Sequence, residues 1–321
     1  MTYSEIWHRI ATSYDDGEAR AIARILIEEL FGLSYADIVC GATEQLSADD
    51  TLRLDTAVRR IEQGEPLQHV LGYADFCGNR FSVNSSVLIP RPETEWLVDE
   101  GAKLMDGCIA SDETQHKAPH SPKRILDIGT GSGCIAISLK LRLGDAYVEA
   151  WDISEEALRT AQDNADALKA EVVFRKRDAL RTENTAAPWD LIVSNPPYIC
   201  DSERSAMDDN VLLHEPHTAL FVPDDDPLRF YRAIARYALL TLNIGGSLLF
   251  ECNTRYAEAT GTMLSDMGFE EVTVSDDSFN LPRFVRGSSP SHQQPLPTLP
   301  VGEGLVSQGL ERPKKAYHPK A

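Results

Sequence analysis

A glycine-rich segment, DIGTGSG at 127–133, lies between a short apolar run and the start of a helical pattern. Glycines in such a turn let the backbone fold tightly and let a ligand lie against the peptide planes. The dinucleotide fingerprint G-x-G-x-x-G would require glycine or alanine at position 134, where the chain has Cys134. The G-x-G-x-G spacing favours S-adenosylmethionine, which has no pyrophosphate, and Asp127 can attract its ammonium group directly or through water.

Two further acids stand at the ends of predicted strands. Asp152 follows Gly133 by nineteen residues and can accept hydrogen bonds from both ribose hydroxyls, while Asp178 would lie beside the adenine. A glycine loop alone is a weak signal, and a lone acid at a strand end is more often a helix cap or a solvated side chain. Together, in a strand–helix–strand context, they predict a cofactor site. The residues predicted to bind the cofactor are Asp127, Gly129, Thr130, Gly131, Ser132, Gly133, Asp152, Asp178, Ala179 and Asn195.

A rigid polar loop, NPPY at 195–198, ends the fourth predicted strand. By itself it would be interpreted as a proline turn. Beside a cofactor loop it can orient a planar amino group, because the Asn195 side-chain oxygen and the Pro196 carbonyl can each accept one N–H. Tyr198 can stack on that group and face a cationic methyl. We predict methylation of the amino group of glutamine, adenine, cytosine or guanine. Asn195, Pro196 and Tyr198 would be catalytic, and Asn195, Pro196, Pro197 and Tyr198 would contact the substrate.

Strand and helix patterns alternate from about residue 123 onward. Short apolar runs predict strands at 124–128, 147–151, 172–174, 191–193 and 247–250. This alternation predicts an α/β fold with a parallel sheet, in which ligands bind at the carboxyl ends of the strands. The first part of the chain has helical spacing instead, with one helix ending at Gly32 and another beginning at Ser47.

These patterns divide the chain into four predicted parts. They are a helical domain at 1–75, a hairpin and linker helix at 76–110, a methyltransferase domain at 111–286 and a disordered tail at 287–321. The tail holds six prolines and few large apolar residues, so it cannot bury enough surface to fold.

Charge and cysteine usage exclude several classes of protein. The net charge of −19 argues against a protein whose main role is to bind nucleic-acid phosphates. The segments 1–75 and 76–286 are each acidic. The six cysteines include no C-x-x-C pair, so we predict no zinc or other metal site. The N-terminus has no signal-peptide pattern and no apolar stretch reaches membrane-spanning length, so we expect a cytoplasmic protein.

Several segments together resemble the HemK-type release factor glutamine methyltransferases. They are GEPLQHVLG at 64–72, F-x-G-x-x-F-x-V at 76–83, LIPRPETE at 88–95, ILDIGTGSGCIA at 125–136, SNPPYI at 194–199 and Glu-Pro at 215–216. The resemblance covers about residues 5–287. Two departures are Ala179, where some members have an aromatic residue, and FECN at 250–253 in place of Glu-x-Gly.

The resemblance implies a Rossmann-like class I S-adenosylmethionine methyltransferase sheet with a small N-terminal helical domain that holds the release factor. It further implies S-adenosylmethionine as cofactor, and methylation of the side-chain nitrogen of the glutamine in the Gly-Gly-Gln motif of peptide chain release factors. A monomer is the family expectation.

Two other functions remain open at this point. A nucleic-acid methyltransferase acting on adenine N6 or another amino group could use the same NPPY geometry, but it would have to extrude a base and hold phosphates. A binding protein without catalysis is opposed by the presence of Gly129, Gly131, Asp152 and Asn195. The run RPETE at 91–95 is either a helix start with a buried ion pair or a segment that closes the substrate channel.

Overall fold

The computed structural model describes residues 1–110, 122–181 and 188–291, with side chains described only to Asp106 in the first range. Its α-helices are α1 (Tyr3–Ile10), α2 (Asp16–Phe31), α3 (Tyr35–Val39), α4 (Ala48–Glu62), α5 (Leu67–Leu71), α6 (Glu95–Ala110), α7 (Cys134–Leu143), α8 (Glu155–Leu168), α9 (Asp209–His214), α10 (His217–Leu220), α11 (Arg229–Thr241) and α12 (Ala257–Asp266). Its strands are β1 (Tyr73–Phe76), β2 (Asn79–Ser82), β3 (Arg124–Ile128), β4 (Tyr147–Asp152), β5 (Val172–Lys176), β6 (Trp189–Ser194), β7 (Ile199–Cys200), β8 (Phe221–Val222), β9 (Leu242–Glu251), β10 (Glu270–Asp276) and β11 (Pro282–Ser288).

Helices α1 to α5 pack their apolar faces on one another at the N-terminus. The Ser47 hydroxyl accepts the Asp50 amide and so caps α4, and Gly32 ends α2 with a left-handed backbone, as the sequence predicts. Ile27 and Val58 are fully buried in the shared core. No helix within the described ranges is long and apolar enough to cross a bilayer.

A seven-stranded sheet has the order β10-β11-β9-β6-β3-β4-β5. The last five strands in this order, β9, β6, β3, β4 and β5, are parallel to one another, which confirms the predicted α/β class. Strands β10 and β11 were not predicted, and they extend the sheet with antiparallel pairing. β4 lies on one side of β3 and β6 on the other, so the order in which strands are added to the sheet reverses at β3. The crevice at the carboxyl end of β3 is therefore the expected place for a ligand.

The hairpin and helix α6 belong to the packing of the sheet rather than forming a linker. Phe76, Phe81 and Leu97 share one buried core with the strands. A Cβ at Gly101 of α6 would lie 3.0 Å from Cδ2 of Leu191, so this helix lies directly on β6. The predicted boundary at 76 cuts through β1, and the predicted boundary at 111 lies outside the described residues.

A buried asparagine connects the hairpin to the glycine-rich loop. The Asn164 side chain accepts the Ser82 amide at 2.7 Å and donates to the Ser82 and Ser132 carbonyls at 3.1 and 2.9 Å. All its hydrogen bonds are made to backbone groups, so it fixes the spacing between two segments that are distant in sequence.

The last strand continues beyond the predicted start of the tail. Gly287 and Ser288 pair with β9, and the Ser289 amide donates to the Gly246 carbonyl at 2.7 Å. The predicted boundary at 287 was therefore too early, because backbone pairing orders residues that lack large apolar side chains. The rest of the predicted tail, 292–321, lies outside the described residues.

We expect Phe284→Ala to lower the free energy of unfolding by about 3–5 kcal/mol, the usual cost of removing a buried aromatic ring. Phe284 is 1% exposed and stacks on Trp96 of α6 with ring centroids 4.3 Å apart. Urea denaturation measures the change. Phe279→Ala is the matched control, since that ring is 69% exposed and its loss should cost no more than about 0.5 kcal/mol. Equal effects in the two variants would contradict this packing.

Candidate active site

A cavity of about 350 Å³ lies at the carboxyl ends of β3, β4 and β6. Two regions that the sequence singled out meet there, the glycine-rich loop and the NPPY loop. An ideal Cβ at Gly129 would lie 3.9 Å from the Asn195 backbone oxygen, so the two loops are in close approach. The predicted site residues that line this cavity are Gly129, Gly131, Asp152, Asp178, Ala179, Asn195, Pro196 and Pro197.

The glycine-rich loop is tied to the end of β4 by its own backbone. The amides of Gly129 and Thr130 both donate to the Trp151 carbonyl at 2.9 Å, and the Gly131 amide donates to Oδ2 of Asp152 at 2.9 Å. These bonds turn the chain sharply away from the strand direction. The loop therefore forms one wall of the cavity before α7 begins.

Two glycines of the loop are required for different reasons. Gly131 has a φ of +54° and nothing within 4 Å of an ideal Cβ, and it faces the cavity. Gly133 has a φ of +82°, and its Cβ would lie 2.9 Å from Cδ1 of Ile137 and 3.1 Å from Cβ of Ala161. Gly131 thus leaves room for a ligand, whereas Gly133 allows α7 and α8 to pack closely.

Four predicted cofactor residues, Asp127, Thr130, Ser132 and Gly133, are buried and do not line the cavity. Asp127, Thr130 and Ser132 are inaccessible or nearly so, and the Thr130 hydroxyl donates to Oδ2 of Asp127 at 2.7 Å. Burial raises the pKa of Asp127 to about 7, although the bonds from Thr130 and from the Ala136 amide lower it. In this structure Asp127 supports the loop.

The two acids at the strand ends are held by backbone amides. Asp152 accepts the Ser154 amide with Oδ1 at 2.9 Å in addition to that of Gly131, and burial raises its pKa. Asp178 accepts the Leu180 amide at 2.9 Å. Each carboxylate oxygen keeps a free lone pair, so both acids can still accept hydrogen bonds from a ligand in the cavity.

These residues fit S-adenosylmethionine. Asp152 offers acceptors for ribose hydroxyls, Gly131 leaves the space that a Cβ would fill, and Leu180 with Ala179 forms an apolar wall near Asp178. Most of the other lining residues were not predicted, and among them are polar or aromatic side chains that no motif marks in the sequence: Arg177, Thr218, Phe221, Arg229 and Phe230.

Tyr198 is the one residue of the NPPY loop that does not line the main cavity. It lines a second cavity of about 170 Å³ together with Leu88, Arg91, Asn195 and apolar residues of α9 and α10. Its hydroxyl lies 3.3 Å from Oε1 of Glu251, and burial raises the pKa of this phenol. Asn195 lines both cavities and therefore stands between them.

Two residues beneath the NPPY loop were not predicted from the sequence. Glu251 is 1% exposed, and Thr94 is 3% exposed and donates its hydroxyl to Oε2 of Glu251 at 2.6 Å. Strand register could have indicated Glu251: Ser194 of β6 pairs with Phe250 of β9, so Asn195 and Glu251 follow at the same edge of the sheet.

The run at 91–95 contains a largely buried ion pair. Arg91 donates to Oε1 of Glu215, and the Ile89 amide donates to Oε2 of the same carboxylate at 3.1 Å. Glu95 accepts the Cys77 amide at the hairpin turn at 2.6 Å. The run therefore contains both the start of α6 at Glu95 and an ion pair, and its Arg91 also lines the smaller cavity. Thr94 of the same run reaches the NPPY loop.

Comparison with known proteins gives two family matches and many close relatives. Residues 8–72 match the PrmC N-terminal domain and residues 96–220 match the methyltransferase small domain. The release factor glutamine methyltransferase of Bacteroides thetaiotaomicron is 42% identical over 273 residues, covering 85% of this chain and 93% of that protein. The protein of the same name from Flavobacterium psychrophilum is 36% identical, covering 86% of this chain and 94% of that protein.

We expect Gly131→Ala to weaken S-adenosylmethionine binding by tenfold or more while lowering the melting temperature only slightly, because its Cβ enters the ligand space. Gly133→Ala should lower the melting temperature more than Gly131→Ala does and weaken cofactor binding less, since the new Cβ meets Ile137 and Ala161. Calorimetric titration and thermal melts measure the two effects. Unchanged affinity in Gly131→Ala would show that the cofactor does not lie against this loop.

Proposed function

Because the chain belongs to the release factor glutamine methyltransferase family, we propose that it methylates peptide chain release factors and so modulates translation termination. The methyl group of S-adenosylmethionine is transferred to the side-chain amide nitrogen of the glutamine in their Gly-Gly-Gln motif. The observation that carries this proposal is the position of Asn195 between a cofactor-sized cavity and a smaller, apolar one.

The chemical difficulty is that an amide nitrogen is a poor nucleophile, because its lone pair is delocalised. Asn195 and the Pro196 carbonyl accept the two amide hydrogens, which orients the nitrogen and draws its lone pair toward the main cavity. The proline rings fix the backbone, so these acceptors are in place before the substrate arrives. Bound S-adenosylmethionine supplies an electrophilic sulfonium methyl. No strong base is needed, since the nitrogen becomes acidic once it is alkylated.

The smaller cavity suits the rest of the glutamine side chain. Leu88, Ile199 and Leu220 supply apolar walls for its methylenes, and the half-buried ring of Tyr198 supplies a flat surface for the amide. Apolar walls of this kind would destabilise an ionised nucleophile, because it would lose its hydration. They can accommodate the neutral side chain of glutamine.

We assign the binding of the release factor to the N-terminal helical domain and the loops beside it. The end of α4 lies next to α9, since a Cβ at Gly64 would be 4.0 Å from Nε2 of His214. Val211 of α9 lines the smaller cavity, so a protein held by the helices has its loop near Asn195. The acidic surface favours a protein substrate over nucleic acid. We further propose a monomer in the cytoplasm.

The direct test incubates the protein with radiolabelled S-adenosylmethionine and, separately, release factor, DNA and ribosomal RNA. Label should enter the release factor only. The matched control is a release factor whose Gly-Gly-Gln glutamine is replaced by glutamate, which should remain unlabelled. Label entering nucleic acid alone would refute the proposed substrate and favour the nucleic-acid alternative.

We expect Asn195→Ala to lower kcat by about a hundredfold, because the variant no longer orients the nucleophile. Affinity for S-adenosylmethionine should stay nearly unchanged. Asn243→Ala is the control: this side chain donates to Asp190 at 2.7 Å near the amino end of β9, away from the cavity, so its turnover should match that of the unmodified chain. Normal turnover in Asn195→Ala would refute its role.

A further inference from the structure

We propose that Thr94 and Glu251 are positioning residues that set the direction of the Asn195 side-chain amide. This inference rests on the proposed function and deepens it. The three side chains form a hydrogen-bonded series that runs from the interior of the protein to the substrate: Glu251 to Thr94 to Asn195. Neither Thr94 nor Glu251 lines either cavity.

The direction of the series follows from the chemistry of its groups. A carboxylate only accepts hydrogen bonds, and a threonine hydroxyl has a single proton to donate. At 2.6 Å, the proton of Thr94 is committed to Glu251. Toward Asn195 the hydroxyl oxygen of Thr94 can therefore only accept.

This restriction selects one of the two orientations of the Asn195 amide. Its NH₂ group faces Thr94, with Nδ2 and Oγ1 3.4 Å apart, and its carbonyl oxygen is left for the substrate. The flipped amide would place a donor against the amide hydrogens of the glutamine and could not bind them. The contact is long, and such bonds commonly shorten when substrate binds.

Both positioning residues are held from outside the series. Thr94 ends a short 3₁₀ turn (Pro92–Thr94), between the Arg91–Glu215 pair and the Glu95–Cys77 bond. Glu251 lies in β9, where it pairs with Phe284 of β11. Burial raises the pKa of Glu251 and the charge of Glu93 adds to that rise. The Thr94 hydroxyl, the Arg283 guanidinium and the Tyr198 hydroxyl each oppose it and favour the acceptor form of the carboxylate.

A merely structural hydrogen bond would affect stability without a selective effect on turnover. Thr94→Val keeps the shape of the side chain and removes the hydroxyl, so we expect kcat for release factor to fall about tenfold or more, with the Kd for S-adenosylmethionine unchanged. Thr94→Ser restores the hydroxyl and should recover most of kcat. The control is Thr241→Val, whose buried hydroxyl donates to the Tyr237 carbonyl away from the cavity, and whose kcat should not change.

A second pair of variants tests the direction of the series at Glu251. Glu251→Gln keeps an oxygen that can accept from Thr94, whereas Glu251→Met has a similar length and no such acceptor. We expect a clearly larger loss of kcat in Glu251→Met. Because Glu251 also accepts from the Tyr198 hydroxyl at 3.3 Å, the double variant is compared in a Tyr198→Phe background, where only the path through Thr94 remains. In that background Thr94→Val/Glu251→Met should lose no more kcat than the worse of its two single variants.

The outcomes separate this inference from the proposed function. Unimpaired kcat in Thr94→Val, equal losses in Thr94→Val and Thr94→Ser, or additive losses in the double variant would overturn the positioning role while methylation of release factor by the unmodified chain stands. Failure of the unmodified chain to methylate release factor would overturn the proposed function and this inference with it.

Discussion

The buried carboxylate of Glu215 holds the segment on which the second half of the active site depends. An ionised carboxylate removed from water must be paired and hydrogen-bonded, and here both demands are met by the segment just before α6. Arg91 and the Ile89 amide supply the bonds, which hold that segment beside the NPPY loop. Leu88 thereby lines both cavities, and Thr94 reaches Glu251. Removing one partner would leave an unpaired charge in the interior.

The cofactor half and the substrate half of the site are built by different physical means. The glycine-rich loop depends on backbone bonds to Trp151 and Asp152 and on close approach between helices. The substrate half depends on side-chain carboxylates buried beneath it. The halves join at Asn195, and the hairpin is fastened to the first half through Asn164. Both halves are attached to the carboxyl ends of strands of the same sheet, which fixes their relative position.

Much of the cofactor half could be predicted because its signals are local. Tight turns require glycine, and strand ends next to helix starts carry capping and ligand-binding acids within a few residues of each other. The placement of α6 on the sheet and the pairing of β10 with β11 could not be predicted in this way. Gly101 is simply a glycine within a helical pattern until Leu191 is known to lie 3.0 Å from where a Cβ would be at that position.

By itself, the sequence determined the class of fold, the parallel strands, the glycine-rich turn and the place of the NPPY loop at the end of β6, since each follows from residues close together in the chain. Tertiary structure alone decided that Asp127 supports the loop from behind, and that Thr94 and Glu251, 157 residues apart, meet beneath Asn195. The physical reason is that a buried hydrogen bond depends on distance and direction in space. Neither quantity is encoded in the spacing of residues along the chain.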